Sequence, residues 1–270
     1  MAIYNISFAG AGRVAGILCK ELYDKGFRIT RIVSRSEHQG KALAATCGAD
    51  WSSELSFGDN CDLIIVAVSD HALPGVLKSL SCNKKTLVVH TAGSYGLGIF
   101  PAKIRIKGVF YPLQTFSKER KVSFDGLPVF IEADNDETLA RLEELAAMLG
   151  AKCFRADTEQ RKMLHVAAVF VNNFTNFMLT GGNYLAKEAG ISPEILEPLI
   201  RETFLKALEM GPEASQTGPA VRNDLNTIKK HLELLSFSPD LQVLYKEISG
   251  SIIKYYGKKN GKLQRGAGKR

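Results

Sequence analysis

Gly10, Gly12 and Ala15 stand at the spacing a backbone needs if it is to lie against a phosphate. An apolar, β-prone run over 3–8 precedes them, and Arg13-Val14-Ala15-Gly16 then opens a helical pattern, so the order is strand, tight turn, helix. Gly10 permits the turn. Gly12 has no Cβ and lets the backbone approach a pyrophosphate, while Ala15 keeps helix and strand close. The helix start supplies unpaired N–H groups and a partial positive charge. Gly10, Ala11, Gly12, Arg13 and Val14 therefore read as the phosphate cradle of a dinucleotide site. A glycine turn in an α/β protein without nucleotide would look the same, so the next strand carries the decision. It spans 28–33 and ends in Ser34-Arg35-Ser36, where an NAD-selective site carries a carboxylate for the ribose 2′-OH. A carboxylate would repel a 2′-phosphate; a guanidinium flanked by two hydroxyls grips it. The expected cofactor is NADP, held by Ser34, Arg35 and Ser36. Ser36 also reads as the N-cap of a helix over 37–46, and the two roles are compatible.

Polar residues at later strand ends extend the candidate site, because open α/β sheets bind ligands beyond the carboxyl ends of their strands. Val68 and Ser69 follow one apolar run, and Thr91, Ala92, Gly93 and Ser94 follow another; both stretches are expected beside the nicotinamide. Asp70 reads as the N-cap of a helix starting at His71, and His90, inside an apolar strand, as a core histidine. Further along, His165, Val169, Asn172 and Asn176 share a narrow arc at 3.6 residues per turn. A histidine and two amides on an apolar helix either bond within the core or face a cleft. Arg222, Asp224, Thr227 and His231 follow a rigid Gly218-Pro219 entry, with Asp224, Thr227 and His231 on one face. A capped surface helix would carry the same residues. As chemistry, His165 or His231 would supply a proton, since an imidazole titrates near neutrality. Arg222 would hold a substrate carboxylate and Asn172 would orient the reacting group, with Asp224 beside them. No His, Asp or Cys spacing suggests a metal.

These residues must be carried by an alternating β/α pattern followed by helices alone. Apolar runs at 62–68, 86–90, 109–111 and 129–131 alternate with helical patterns at 71–80 and 136–149. That rhythm predicts an open, mostly parallel sheet with helices on both faces. From Thr158 onward the pattern is helical: 159–189 with a possible kink at Gly181-Gly182, 193–210, 219–235 and 239–256. The expected organisation is a nucleotide-binding domain over 1–156, a helical substrate and dimerisation domain over 157–257, and a basic disordered tail over 258–270. The first long helix is apolar around much of its circumference, which suggests that a partner subunit covers part of it.

The charge of +7 comes largely from six Lys and Arg in 257–270; without them about +1 remains, so no nucleic-acid surface is expected. Five scattered cysteines fit reduced thiols, a first strand starting at Ile3 leads one to expect no leader, and no stretch suits a membrane span. A cytoplasmic protein without membrane or nucleic-acid partners is expected.

Together, Gly10-Ala-Gly12-Arg-Val, Ser34-Arg35-Ser36, Tyr111-Pro-Leu-Gln-Thr-Phe116, the helix with His165 and Asn172, and Thr217-Gly-Pro-Ala-Val-Arg222 with Asp224 and His231 resemble one group. It is a Rossmann-like set of NADP oxidoreductases with a helical C-terminal domain of unknown function, similar to pyrroline-5-carboxylate reductase, ketopantoate reductase and deazaflavin-dependent NADP oxidoreductases. The resemblance covers about residues 2–255, and its specific part is the Thr217 to His231 stretch. It implies NADP binding and a helical domain that pairs in a homodimer. Hydroxyacid dehydrogenases of similar architecture carry a lysine one turn before an Asn pair, and Val169 stands there instead, so their proton-transfer scheme does not carry over. The expected activity is NADPH-dependent hydride transfer to a small, carboxylate-bearing carbonyl or imine; the alternative is an NADP-binding sensor without turnover.

Overall fold

The computed structural model describes residues 3–117, 120 and 122–267. The chain divides into two compact units, Met1–Phe174 and Thr175–Arg270. In the first, strands β1 (Asn5–Ala9), β2 (Arg28–Val33), β3 (Asp50–Ser52), β4 (Leu63–Val66), β5 (Leu87–His90), β6 (Ile106–Pro112), β7 (Pro128–Ala133) and β8 (Lys152–Arg155) form one sheet. Its order is β3-β2-β1-β4-β5-β6-β7-β8. Every neighbouring pair is parallel except β6–β7. Helices α1 (Arg13–Asp24), α2 (Glu37–Thr46), α3 (Leu73–Ser79) and α4 (Asp136–Met148) connect them.

β4 and β5 are buried along their whole length, as continuous apolar runs require when both faces are covered. One apolar cluster gathers Ile6, Phe8, Leu18, Leu22 and Leu142; a second gathers Ile64, Val66, Leu73, Leu77 and Val88. β3 and β8 escape the sequence pattern because they are edge strands of three and four residues with no buried residue. The five cysteines are free, and Cys19 and Cys47 lie in contact, with 3.3 Å between sulfurs.

The sequence places the domain boundary at 156/157, whereas the compact units part at Phe174, so α5 (Thr158–Ala168) belongs with the sheet. The reason is Arg161. Its side chain has no solvent exposure, its guanidinium pairs with Glu132 on β7, and it donates to the carbonyls of Ala156 (2.9 Å) and Tyr95 (2.8 Å). Asp157 caps the helix in a full capping box with Gln160.

A π-helical segment, Val169–Phe174, follows α5 and leads into α6 (Thr175–Glu188) of the second unit. The long helical stretch departs from α-helical bonding at 169–174, and α6 runs unbroken through Gly181-Gly182, where a kink is expected from the sequence. The glycines admit neighbours instead: a Cβ on Gly181 would touch Leu241 at 3.5 Å and one on Gly182 would touch Leu196 at 3.7 Å. The second unit continues with a 3₁₀ turn (Pro193–Leu196), α7 (Glu197–Met210), α8 (Pro212–Ser215), α9 (Leu225–Leu234) and α10 (Pro239–Ala267). α10 carries the backbone helix through Ala267, where the sequence predicted a disordered tail over 258–270; residues 268–270 lie outside the described residues. No helix among the described residues is long and apolar enough to cross a membrane.

Glu132→Ala leaves the buried Arg161 guanidinium without its counter-ion, a loss of about 3–5 kcal/mol for a broken buried pair. Urea unfolding of the variant should show a loss of that size, whereas Glu143→Ala, which breaks the solvent-screened pair with Arg155, should leave the unfolding midpoint nearly unchanged.

Candidate functional site

β1 ends in a turn wedged between its two neighbours. Gly10 has φ +120°, and a Cβ there would lie 2.2 Å from the Ala67 carbonyl oxygen beyond β4. Its N–H donates to the Val33 carbonyl on β2 at 2.7 Å. Only glycine meets both demands. Gly12 is the N-cap of α1, makes no side-chain cap bond, and is followed by no acidic residue in the first turn. The space a Cβ would fill at Gly12 is open, and Ala15 is fully buried against the sheet. The first-turn N–H groups and their dipole are thus left for an anion.

These residues line a cavity of about 1210 Å³. Gly10, Ala11, Gly12, Arg13, Val14, Ser34, Arg35, Ser36, Val68, Ser69 and Thr91 all stand on its wall. Gln39, Ser53, Leu55, His71, Gly75 and Val76 line it as well and carry no sequence signal of a cofactor site; they occupy the turn beyond β3, the first turn of α2, the turn before α3 and α3 itself. A backbone cradle open at Gly12, a helix N-terminus and an exposed guanidinium at Arg35 fit a dinucleotide with a 2′-phosphate.

The two serines beside Arg35 are not equivalent. Ser34 Oγ donates to the Ser36 carbonyl (2.9 Å) and accepts from the Trp51 indole N–H (3.0 Å), so its proton is already committed. Ser36 Oγ accepts from the Gln39 N–H at 3.3 Å as the N-cap of α2 and keeps its own proton to give. Among the described residues Arg35 makes no ion pair with the protein.

Ala92, Gly93 and Ser94 are not on the cavity wall. They form a layer beside it that joins the ends of β4, β5 and β6. Ala92 donates its N–H to His90 Nδ1 (3.2 Å), Gly93 lies against Tyr111, where a Cβ would come within 2.8 Å of the ring, and the Ser94 hydroxyl donates to the Asp70 carboxylate. Asp70 is therefore no helix cap; α3 starts two residues later than expected, with Ala72 as N-cap. His90 is a core histidine, as expected. It is fully buried and stacked on Phe100, and burial, with the Arg161 charge adding to it, lowers its pKa to about 4.

The Tyr111 hydroxyl lies 3.2 Å from His165 Nδ1, which joins the end of β6 to α5. Burial, and then the Asp70 charge, raises the pKa of Tyr111 above the ordinary phenol value. A tyrosine closing a buried strand just before Pro112 was the available signal for it. Asn172 lies beyond α5, where the 3.6-residue spacing that puts it on His165's arc in the sequence no longer applies. It falls in the π segment, whose i→i+5 bonding turns everything after it out of 3.6-residue phase, and its exposed amide contacts Asn173 at 3.4 Å.

In the second unit Asp224 caps α9, accepting from the Thr227 N–H (3.0 Å) and hydroxyl (2.7 Å), which hold its pKa below the usual carboxylate range. Its carboxylate is engaged locally, and Arg222 beside it is exposed. His231 Nδ1 meets the Tyr245 hydroxyl at 2.7 Å and ties α9 to α10. No three His, Cys, Asp or Glu side chains converge on a metal site among the described residues.

Sheet order, glycine turn and cavity define a dinucleotide-binding oxidoreductase fold. Residues 5–93 match the family described as NADP oxidoreductase, coenzyme F420-dependent, and residues 127–252 match a domain of unknown function, DUF2520. A crystal structure from Bacteroides fragilis, provisionally described as an NADP oxidoreductase, is 40% identical, covers 93% of this chain and 98% of its own, and superposes with a TM-score of 0.84. This chain belongs to that NADP oxidoreductase family and is an NADP-dependent oxidoreductase. Two more distant structures share the fold. An imine reductase from Myxococcus stipitatus in complex with NADP+ is 14% identical, with TM-score 0.65 and coverage of 94% and 93%. A pyrroline-5-carboxylate reductase from Coxiella burnetii is 18% identical, with TM-score 0.55 and coverage of 95% and 98%. No curated protein matches the chain.

Two predictions follow from this geometry. Arg35→Ala should weaken NADPH binding by about ten- to hundred-fold, the weight of one charge-assisted contact, and leave NADH binding nearly unchanged in a fluorescence titration. His90 has a folded pKa below its unfolded value, so protons favour the unfolded chain. Its stability contribution is complete above about pH 6.5 and is lost as pH falls toward 4, by roughly 3 kcal/mol in all. His90→Phe should flatten that acid limb in urea titrations run at successive pH values.

Proposed function

We propose that this oxidoreductase reduces a small carbonyl or imine bearing a carboxylate, and that the Tyr111–His165 pair delivers the proton. The observation that carries the reading is the 3.2 Å hydrogen bond between Tyr111 Oη and His165 Nδ1, next to the strand ends whose Thr91 lines the cofactor cavity. NADPH, when bound, supplies the hydride to the carbon of the C=O or C=N bond. The oxygen or nitrogen then gains negative charge and needs a proton. Tyr111 is suited to give it, because burial keeps its hydroxyl protonated well past neutral pH. His165 can return a proton to the phenolate along the same bond. Gly93 presses on the Tyr111 ring and fixes its direction. His165 is preferred over His231, whose Nδ1 is engaged with Tyr245 between two helices of the second unit.

The active form we propose is a homodimer paired through the helical domain, working in the reducing cytoplasm that five unpaired cysteines suit. Among the described residues the second unit buries only Ala220, Ile228, Leu235 and Ser249, while Leu208 (84% exposed), Leu234 (72%) and Ile195 (66%) lie open. Apolar exposure on that scale marks an interface, and a second copy offers a matching apolar face by symmetry.

Against a panel of keto acids and cyclic imines with NADPH, Tyr111→Phe and His165→Ala should each lower kcat by about 10²-fold or more while NADPH still binds. The wild-type rate should hold through about pH 10 before it declines, because the raised phenol must ionise first. Full activity in both variants removes the pair from the reaction. Light scattering should give twice the 29.6 kDa chain mass, and Leu208→Glu should shift it toward one.

A further inference from the structure

We infer that Trp51 is a positioning residue for cofactor choice: it locks the turn that presents Arg35 to the 2′-phosphate of NADP. The indole sits on the edge strand β3, with Trp51 paired in register to Ile32 and Ser52 to Val33, immediately before the discriminating turn. Its Nε1–H donates to Ser34 Oγ at 3.0 Å, and Ser34 Oγ donates onward to the Ser36 carbonyl at 2.9 Å. The Ser34 N–H is also held, by the Ser52 carbonyl at 3.1 Å. Two residues of β3 therefore fix both ends of the Ser34 unit, and Arg35 is the next residue along the chain.

The contact is built closely. Gly40 on α2 is buried, and a Cβ there would fall 2.1 Å from Ser34 Oγ and 2.2 Å from Trp51 Nε1. A side chain at residue 40 would displace the hydrogen bond, so the glycine makes room for it. On the ring, Lys41 Nζ lies 5.3 Å from the centroid and is itself held to Glu37 at 2.7 Å. The hydrogen bonds of Trp51 and Ser52 hold Ser34, at the start of the Ser34 to Ser36 turn, and the glycine turn that cradles the pyrophosphate meets this strand end only through the Gly10 N–H to Val33 carbonyl bond. A long arginine side chain on a loose turn would lose much of its binding energy in being ordered; on a fixed turn that ordering is partly done beforehand. The lock should therefore matter for the nucleotide that carries a 2′-phosphate and be indifferent to the one that does not.

The test uses NADPH and NADH as probes on the full chain, with affinities from calorimetry, in Trp51→Phe and Ser34→Ala. Each variant should weaken NADPH by about fivefold, the weight of one neutral hydrogen bond, and leave NADH within about twofold. Trp51 is the sole tryptophan of the chain, so its indole N–H gives a single resonance. In the wild type that resonance should shift on adding NADPH and much less on adding NADH, and it should be displaced in nucleotide-free Ser34→Ala. Equal weakening of both nucleotides would make Trp51 general scaffold and overturn the inference, as would unchanged NADPH affinity in both variants. If Trp51→Phe fails to fold, Ser34→Ala, which removes a single oxygen, carries the same readouts.

Discussion

A guanidinium with no solvent contact can find partners only inside the protein, and the two terminal nitrogens of Arg161 find theirs in separate places, the Glu132 carboxylate on β7 and the carbonyls of Ala156 and Tyr95, while Nε has none among the described residues. Desolvating a charge costs several kcal/mol unless the geometry returns it, so this set of contacts tolerates little sliding of α5 over the sheet. Its position fixes that of His165, one helical turn further on. In the antiparallel β6–β7 pair Glu132 stands opposite Val109, and Tyr111, two residues along, faces the same side. The ion pair and the Tyr111–His165 bond are thus two parallel ties between one helix and one pair of strands. The first holds the register in which the second forms. Thr158 adds a third tie, its hydroxyl donating to the Glu132 carboxylate at 3.1 Å.

The same layer of the sheet separates residues that shape the site from residues left to act in it. Ser94 and Asp70 satisfy each other, and His90 is kept neutral in the core by burial. Ser34 spends its proton on the turn it belongs to. The groups left for ligand include the first-turn N–H groups of α1, the Arg35 guanidinium, the Ser36 hydroxyl proton and the Tyr111–His165 pair. A site that leaves few polar groups unpaired loses little on folding and keeps its strong interactions for ligand.

What the sequence revealed depended on whether a role was local. Gly10, Gly12 and Ala15 could be read because their constraint comes from the turn itself, and the Ser36 cap because it needs only the N–H three residues on. The buried runs of β4 and β5 showed in hydrophobicity alone; β3 and β8, short and exposed, did not. Asp70 reads as a cap in the sequence because its actual partner, Ser94, is 24 residues away. Asn172 was placed on His165's arc because 3.6-residue spacing was carried across a segment that is π-helical. Asp224 had the right residue type for a cap, and there the bland reading holds. Tyr111 enters the sequence reading only as the head of the Tyr111 to Phe116 motif, without a chemical role, because its partner lies 54 residues on and no spacing rule joins them.

Cofactor choice shows the same division between local motif and remote support. Arg35 names the preferred charge on the ligand, and it does so from one position beyond a strand. A guanidinium on a solvated turn, however, samples many directions, and discrimination depends on how much of that freedom is already lost before the ligand arrives. Gly40, Trp51 and Ser52 are the residues that remove it, and none of them carries a charge or belongs to a recognisable cofactor motif. The aim of a binding residue is set by its packing neighbours as much as by its own type. A chain that kept Arg35 but filled the space at Gly40 would keep the signature of NADP selectivity and lose part of its physical basis.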